Sequence, residues 1–239
     1  MILWPQPDGQ VLATPQPAHA VVAGELMRHM SPRPEPFTPV VNAATQHDCA
    51  WLPWEAAPEF DPETGLPRAF NAVPGHRHVP MWEAGVATAL GSWGLWEALL
   101  ILRHGTHIYG ISSRTGASPE SRAAMEGYAA REREDGAAWM RRLGVSEAEV
   151  APLSRALAVV DSIALALCWG QPAFDCAGVR LARTAPFAAT LTPWPLDVST
   201  LEVETTALRL PARFPDATAM RDGLRDAARV PLRFALSRP

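Results

Sequence analysis

The sequence predicts a mostly α-helical body with a small antiparallel β appendage. Apolar residues recur at helical spacing in successive segments of the first two thirds of the chain. Beyond about Gly178, apolar and polar residues alternate instead, as in Leu201-Glu202-Val203-Glu204-Thr205. Pro-rich turns separate these alternating runs, which is typical of short antiparallel strands. We therefore place the helical body at residues 1–177 and the β-rich appendage, packed on the same domain, at residues 178–239.

The individual elements are predicted from their start and stop signals. A β-hairpin around Pro7-Asp8-Gly9 opens the chain and could add strands to the appendage. A Ser or Thr before Pro opens a helix at several places, and Pro or Gly ends one, as Gly144 does. Ser146 and Glu149 have the spacing of a capping box. The predicted helices cover about residues 15–30, 39–52, 80–90, a segment after Ser92, 120–143, a segment after Ser146, and 220–228. The predicted strands of the appendage cover residues 179–181, 201–205, 208–210 and 232–236.

Residues 52–79 form a long predicted loop, rich in Pro and Gly. Loops of this length are uncommon in compact domains unless they are functional or disordered. We expect the loop to fold as a lid or wall over the candidate metal site described below, with Trp51, Trp54 or Phe70 at the mouth of its pocket. A surface loop remote from the site is the alternative. The segment His76-Arg77-His78 is interpreted as an exposed polar loop, with a pocket for an anionic group as its alternative.

Composition limits the classes of partner. The net charge of −4 argues against nucleic acid, and the three Cys show no metal-knuckle spacing. No signal peptide is apparent at the N-terminus. The most apolar run, Leu153–Trp169, carries Arg155 and Asp161 and is short for a bilayer span. These features predict a cytoplasmic protein with neither nucleic acid nor a membrane as partner, and they leave homo-oligomer formation open.

Four places put a polar ligand type on an apolar helix face: His19, the pair His47-Asp48, His104 and Asp161. Asp161 is the most informative, because an ionised carboxylate buried among apolar residues costs several kcal/mol without a partner. Its neutralising partner, an Arg, a His or a metal ion, must come from another helix. Imidazole nitrogens and carboxylate oxygens together suit divalent transition metals.

The order of these residues resembles the HD-domain metal-dependent phosphohydrolases, in which helices contribute a His, an adjacent His-Asp and a distant Asp to a metal. Members of that superfamily with two metals place further His residues between the His-Asp pair and the last Asp, where His104 stands. This resemblance implies an HD-domain-like helical bundle for the body of the chain.

Five short segments carry a second resemblance: Gln16-Pro17-Ala18-His19-Ala20, Gln46-His47-Asp48-Cys49-Ala50-Trp51, Thr64-Gly65-Leu66-Pro67, Leu102-Arg103-His104-Gly105 and Val160-Asp161-Ser162. With these segments the sequence resembles an uncharacterised bacterial family, domain of unknown function 3891, over nearly its whole length. This resemblance implies no known reaction.

We predict a site for one or two divalent ions (Fe, Mn, Zn, Ni or Co). The predicted ligands are His19, His47, Asp48 and Asp161, and His104 either binds a second ion or contacts substrate. His104 and Asp48 are also the candidate catalytic groups. The candidate substrate-binding residues are Arg103, His107, Arg77 and Trp51, and the residues expected to orient the ligands are Gln16 and Gln46.

The predicted function is hydrolysis of a small phosphate ester or nucleotide at this metal site, with a small anionic substrate as the partner. An HD-like di-iron oxygenase is the first alternative, since extra His ligands suit that chemistry. A non-catalytic module, which keeps the polar cluster for ligand sensing or structure, is the second.

Overall fold

A computed structural model describes residues 1–112 and 117–239, in which helices pack against a curled sheet. Its helices are α1 (Gln16–Arg28), α2 (Phe37–Gln46), α3 (Leu52–Ala56), α4 (Gly75–Ser92), α5 (Leu95–Ser112), α6 (Pro119–Leu143), α7 (Glu147–Cys168) and α8 (Ala217–Asp226). Its strands are β1 (Ile2–Pro5), β2 (Val11–Thr14), β3 (Phe60–Asp61), β4 (Leu66–Pro67), β5 (Ala173–Cys176), β6 (Val179–Ala185), β7 (Ala188–Thr192), β8 (Thr200–Leu210) and β9 (Arg229–Ser237). Single 3-10 turns lie at Cys49–Trp51 and Phe70–Ala72.

Seven strands from both ends of the chain form one mixed sheet in the order β1-β2-β8-β9-β7-β6-β5. The N-terminal hairpin joins it through β2, which pairs antiparallel with β8. The pairing of β8 with β9 runs from Thr200↔Ser237 to Leu208↔Arg229. Only the β7–β9 pair is parallel among the described strands of this sheet. The short strands β3 and β4 pair separately.

The predicted fold class, an HD-domain-like helical bundle with a small β appendage, is wrong, and so is the all-α class. The described chain is 54% helical and 21% strand, and the strands form a seven-stranded mixed sheet. Alternating residues such as Val203, Ala207 and Phe234 lie in the same buried cluster as Val22 of α1 and Val160 of α7. Because the apolar face of the sheet completes the core around these helices, the sheet is a layer of the fold rather than an attachment to it.

Several predicted helix ends agree with the structure. Helix α6 begins after Ser118, whose side chain accepts a hydrogen bond from the Ser121 amide, and it ends at Gly144 in the left-handed conformation. Ser146 and Glu149 form the predicted capping box of α7. Pro80, the predicted start of a helix, instead lies inside α4.

Helix α7 is, among the described residues, a single helix long and apolar enough to span a membrane by length and composition. More than half of its most apolar window is buried inside the protein. It contacts α1, α5 and strand β5, so its apolar surface is used in the core. The same composition therefore has a sufficient explanation as a core helix that carries Asp161.

Helices α1 and α2 approach closely at Gly24, which brings their site residues near one another. A Cβ built on Gly24 would lie 2.1 Å from the Thr45 hydroxyl oxygen and 3.1 Å from the Thr45 Cα atom. The Thr45 hydroxyl donates to the Val41 carbonyl oxygen, which fixes its position on α2. Any side chain at position 24 would thus push α1 away from α2.

We predict that Gly24→Ala lowers the free energy of unfolding by about 1–3 kcal/mol, the usual cost of overpacking a tight helix contact. The matched control is Gly91→Ala in α4, where a Cβ would meet nothing within 4 Å. That change should be neutral or stabilise by up to about 1 kcal/mol through helix propensity. Chemical denaturation of both variants measures the difference, and equal effects would contradict the close contact.

Candidate metal centre

Four helices place three imidazoles and a carboxylate together. His19 lies in the first turn of α1, His47 follows the last residue of α2, His104 lies on α5 and Asp161 lies on α7. The three His side chains are almost fully buried, and the Asp161 side chain is 16% exposed. Asp48 follows His47 directly and is also buried. The residues that the sequence nominated as ligands thus occupy one buried region.

The two histidines His19 and His47 use their ring nitrogens in the same way. Nδ1 of His19 donates to the Gln16 carbonyl oxygen at 2.7 Å, and Nδ1 of His47 donates to the Ala44 carbonyl oxygen at 2.8 Å. A carbonyl oxygen can only accept, so Nδ1 carries the proton in both rings. The Nε2 atoms lie 2.9 Å (His19) and 3.1 Å (His47) from the same oxygen of Asp161, Oδ1.

These contacts fit a bound cation. When both rings are neutral, two Nε2 lone pairs face an anionic oxygen with no proton between them, which is unfavourable unless a positive charge is shared. Two ligand atoms at about 2.1 Å from one ion and at right angles lie about 3.0 Å apart, close to the separations seen here. His19, His47 and Asp161 each offer a ligand atom within 4.8 Å of the others. This cluster could therefore hold a metal ion.

Asp48 and His104 adjoin the cluster with unused polar atoms. Oδ2 of Asp48 lies 3.2 Å from Nδ1 of His19 and 3.7 Å from Nε2 of His47, and it is buried without a hydrogen bond. Nε2 of His104 lies 3.5 Å from Oδ2 of Asp161, and neither ring nitrogen of His104 has a hydrogen-bond partner. Buried polar atoms are normally paired. Their grouping beside the cluster suggests that a ligand completes their bonding.

The cluster strongly perturbs two of its own groups. Burial opposes the charged form of His47, but the carboxylates of Asp48 and Asp161 outweigh it and raise the His47 pKa to about 9. Burial also opposes the charged form of Asp161, but the adjacent imidazoles of His104, His19 and His47 hold the Asp161 pKa well below its usual range. Asp161 is therefore ionised at neutral pH, and a proton on His47 takes the place that a metal would occupy.

The cluster opens into a cavity of about 1020 Å³. Gln16, Trp51 and His107 line it together with His19, Asp48, His104 and Asp161. The later part of the predicted loop also lines it, through residues 70, 71, 73–75 and 78, so this segment forms a wall of the cavity. The apolar and aromatic lining includes Trp51, Phe70, Val73, Ile108, Ile111, Met125, Leu165 and Phe174.

A second polar group in the wall is the pair His78 and Tyr109, which the sequence did not indicate as a site. Nδ1 of His78 lies 2.8 Å from the Tyr109 hydroxyl oxygen, and the His78 ring stacks on Trp82. Burial lowers the His78 pKa to about 4, so this imidazole is neutral at physiological pH. The interpretation of residues 76–78 as an exposed loop is wrong, because they lie in the first turn of α4 and His78 is buried.

The predicted cationic substrate contacts lie outside the cavity lining. Arg103 pairs with Glu147 at 2.5 Å, and Arg77 pairs with Glu59 at 2.5 Å. Gln46 also lies outside the described lining, whereas Gln16 lines the cavity with a buried side-chain oxygen that has no hydrogen bond. His107 lines the cavity with its ring stacked on His104.

Tyr109 and Phe174 are among the lining residues that the sequence did not indicate, because their signals are weak in a single sequence. Tyr109 continues the buried face of α5 that includes Ala98 and Leu102, so its spacing predicts a core residue and not a cavity residue. Phe174 lies in β5, a four-residue strand that we had not predicted. Helical periodicity could have found Tyr109 as a buried residue, but only the fold shows that it lines a cavity.

Comparison with known proteins gives a family without a known activity. A family model described as "Protein of unknown function (DUF3891)" matches residues 1–212. No curated protein and no solved structure matches the chain. The family resemblance inferred from the sequence is therefore confirmed, while the resemblance to HD-domain phosphohydrolases receives no support from these comparisons.

We predict that metal binding releases about one proton per ion at pH 7.5, because the ion must displace the proton held by His47. The raised pKa means that His47 stays protonated until the pH approaches 9, so affinity for the ion rises as pH increases from 6 to 8. Isothermal titration of Mn²⁺ in two buffers with different ionisation enthalpies measures the protons released. A binding heat that does not depend on the buffer would contradict the proton–metal competition.

We also predict that Asp161→Asn abolishes stoichiometric metal binding but leaves a cooperatively folded protein. The change removes the charge that both Nε2 atoms face while nearly conserving the side-chain volume. The matched control is Asp197→Asn, which alters an exposed Asp–His pair. In that pair, Oδ1 of Asp197 lies 3.1 Å from Nδ1 of His29. Elemental analysis after dialysis should show metal in the control and none in Asp161→Asn, and metal retained in both would place the ion elsewhere.

Proposed function

The chain belongs to the protein family of unknown function DUF3891, and we propose that it is a metal-dependent hydrolase of phosphate esters. The substrates considered are small phosphate esters and nucleotides. One observation carries the proposal. The Nε2 atoms of His19 and His47, whose Nδ1 atoms donate to backbone carbonyl oxygens, lie 2.9 and 3.1 Å from the same oxygen of Asp161. This arrangement lies at a cavity large enough to admit an organic substrate.

His19, His47 and Asp161 would hold the ion, and Asp48 lies beside them, with its Oδ2 atom 3.7 Å from Nε2 of His47. When bound, a divalent ion supplies Lewis-acid chemistry and lowers the pKa of water, both of which promote ester hydrolysis. The carbonyl oxygens of Gln16 and Ala44 fix the ring orientation and tautomer of the two histidines.

Two further residues supply proton transfer in the proposed reaction. Oδ2 of Asp48, buried and without a hydrogen bond, accepts a proton from the attacking water. His104, whose ring nitrogens are also unpaired, transfers a proton to the leaving oxygen. A bond forms between the water oxygen and phosphorus, the ester P–O bond breaks, and the alcohol leaves with its proton.

The order His19, His47-Asp48, Asp161 along the chain resembles that of HD-domain phosphohydrolases and supports hydrolysis. The fold class adds no support, because the seven-stranded sheet is a major layer of this protein. The proposal therefore depends on the ligand set and the cavity.

A di-iron oxygenase is a second candidate, favoured by one observation. His104 lies beside the second oxygen of Asp161 with both ring nitrogens unpaired, so Asp161 could link two ions. Iron is compatible with this His and carboxylate set. Two measurements separate this candidate from the hydrolase: the identity of the metal that the protein retains, and whether its activity requires oxygen.

We predict that the untagged protein, stripped by a chelator and reloaded with Mn²⁺, hydrolyses bis(p-nitrophenyl) phosphate, with at least about a 100-fold loss in Asp161→Asn because the ion is lost. Asp197→Asn is the control and should keep wild-type turnover. Release of p-nitrophenol is followed at equal metal concentration in all three proteins.

The same preparations distinguish the alternatives. A protein that binds metal but shows no metal-dependent hydrolysis contradicts the proposal, and oxygen uptake by an iron-loaded sample would favour the oxygenase. Failure to bind any divalent ion would favour a non-catalytic module.

A further inference from the structure

The cavity wall lacks the positive charge that the small, highly charged substrates considered so far would need. Among the described residues that line it, none is an Arg, and the chain contains no Lys. Three carboxylates line it instead: Asp48, Asp161 and Asp175. Phosphate groups in proteins are usually met by Arg, Lys or a cluster of backbone amides. At these described residues, therefore, no Arg or Lys side chain is available to balance the negative charge of a substrate.

The positive charge of a divalent ion at the site is offset by nearby carboxylates. A divalent ion beside the carboxylates of Asp48 and Asp161 and the neutral imidazoles gives a centre with no net formal charge. A phosphate dianion bound there would make the buried site strongly negative, which is costly in a region of low dielectric. One negative charge is tolerated more easily than two.

Three arginines of the described chain stand next to lining residues in sequence, and each already has a partner. Arg77 precedes His78, but its guanidinium pairs with Glu59 and lies over the Trp54 ring. Arg103 precedes His104, but it pairs with Glu147 and approaches Glu132. Arg122 follows Ser121 and donates a hydrogen bond to the Ala117 carbonyl oxygen. Recruiting any of the three would break an existing contact.

The rest of the wall suits an uncharged, apolar body. Phe70, Val73, Ile108, Met125 and Leu165 line the cavity, and Phe174 lines it from the sheet. The polar pair His78 and Tyr109 can exchange hydrogen bonds with a ligand but offers no charge. The volume of about 1020 Å³ lies at the upper end of typical ligand pockets, well above the need of a small phosphate ester.

We propose that the cavity selects esters with a large apolar body and at most one negative charge, in preference to nucleotides and small phosphate dianions. This inference rests on the proposed hydrolase and names its substrate class. Apolar contact with the wall supplies the affinity, and the ion meets a single negative charge.

The test is the affinity of the Mn²⁺-loaded protein for three probes, measured by isothermal titration. The probes are diphenyl phosphate (an apolar monoanion), phenyl phosphate (mainly a dianion) and AMP. We expect diphenyl phosphate to bind at least about 10-fold more tightly than either of the others, because it buries a second ring and carries less charge. Tighter binding of AMP or phenyl phosphate, or no detectable binding of diphenyl phosphate, would overturn the inference.

Two pairs of variants separate the apolar and electrostatic contributions. Phe174→Ala should weaken diphenyl phosphate binding by about 3–10-fold through lost apolar contact, whereas Phe187→Ala, outside the cavity, should not change it. Asp175→Asn should strengthen phenyl phosphate binding by about 2–5-fold, whereas Asp222→Asn on α8 should not. Equal effects within the first pair would contradict the apolar contribution of Phe174. Equal effects within the second pair would contradict the electrostatic contribution of Asp175.

Binding and turnover give distinguishable failures. If diphenyl phosphate binds selectively but the protein shows no metal-dependent hydrolysis, the substrate class stands and the hydrolase proposal fails. If the protein hydrolyses AMP or phenyl phosphate in preference to apolar monoanions, the hydrolase proposal stands and this inference fails.

Discussion

The convergence of His19 and His47 on one carboxylate oxygen of Asp161 constrains the rest of the site. Each imidazole is fixed by a carbonyl oxygen on its own helix, so its Nε2 lone pair faces Asp161. Without a cation this arrangement is stable only if a proton bridges it, and the carboxylates of Asp48 and Asp161 accordingly raise the His47 pKa. The cluster could therefore hold either a proton or a metal ion. Asp48 and His104 line the cavity beside this cluster, and each has buried polar atoms without a hydrogen-bond partner.

The fold meets this constraint with helices held at close range and a sheet behind them. The glycine contact between α1 and α2 brings two ligands together, and α7 presents Asp161 while its apolar sides enter the core. The sheet packs on α1 and α7, so the ligands stand on elements fixed by the main core. Such support preorganises a site, because the ordering cost is met by folding and not by ligand binding.

Local sequence rules predicted the helix ends and the polar residues on apolar faces, but not the extent of the sheet. The capping box at Ser146 and the terminal Gly144 depend on neighbouring residues only, and both were found. The predicted addition of the N-terminal hairpin to the C-terminal strands is confirmed by the pairing of β2 with β8. Short strands such as β5 and β7 were missed because they carry little pattern. Arg103 illustrates a second limit: its sequence position beside His104 suggested a substrate contact, but only the fold shows that Glu147 engages it.

The central claim is that His19, His47 and Asp161 bind one metal ion through Nε2, Nε2 and a carboxylate oxygen. Anomalous diffraction from crystals grown with Mn²⁺ or Zn²⁺ tests it most directly. The account predicts an anomalous peak at about 2.0–2.3 Å from all three atoms. A peak elsewhere, or crystals in which the three residues remain in direct contact with no ion between them at saturating metal, would contradict it.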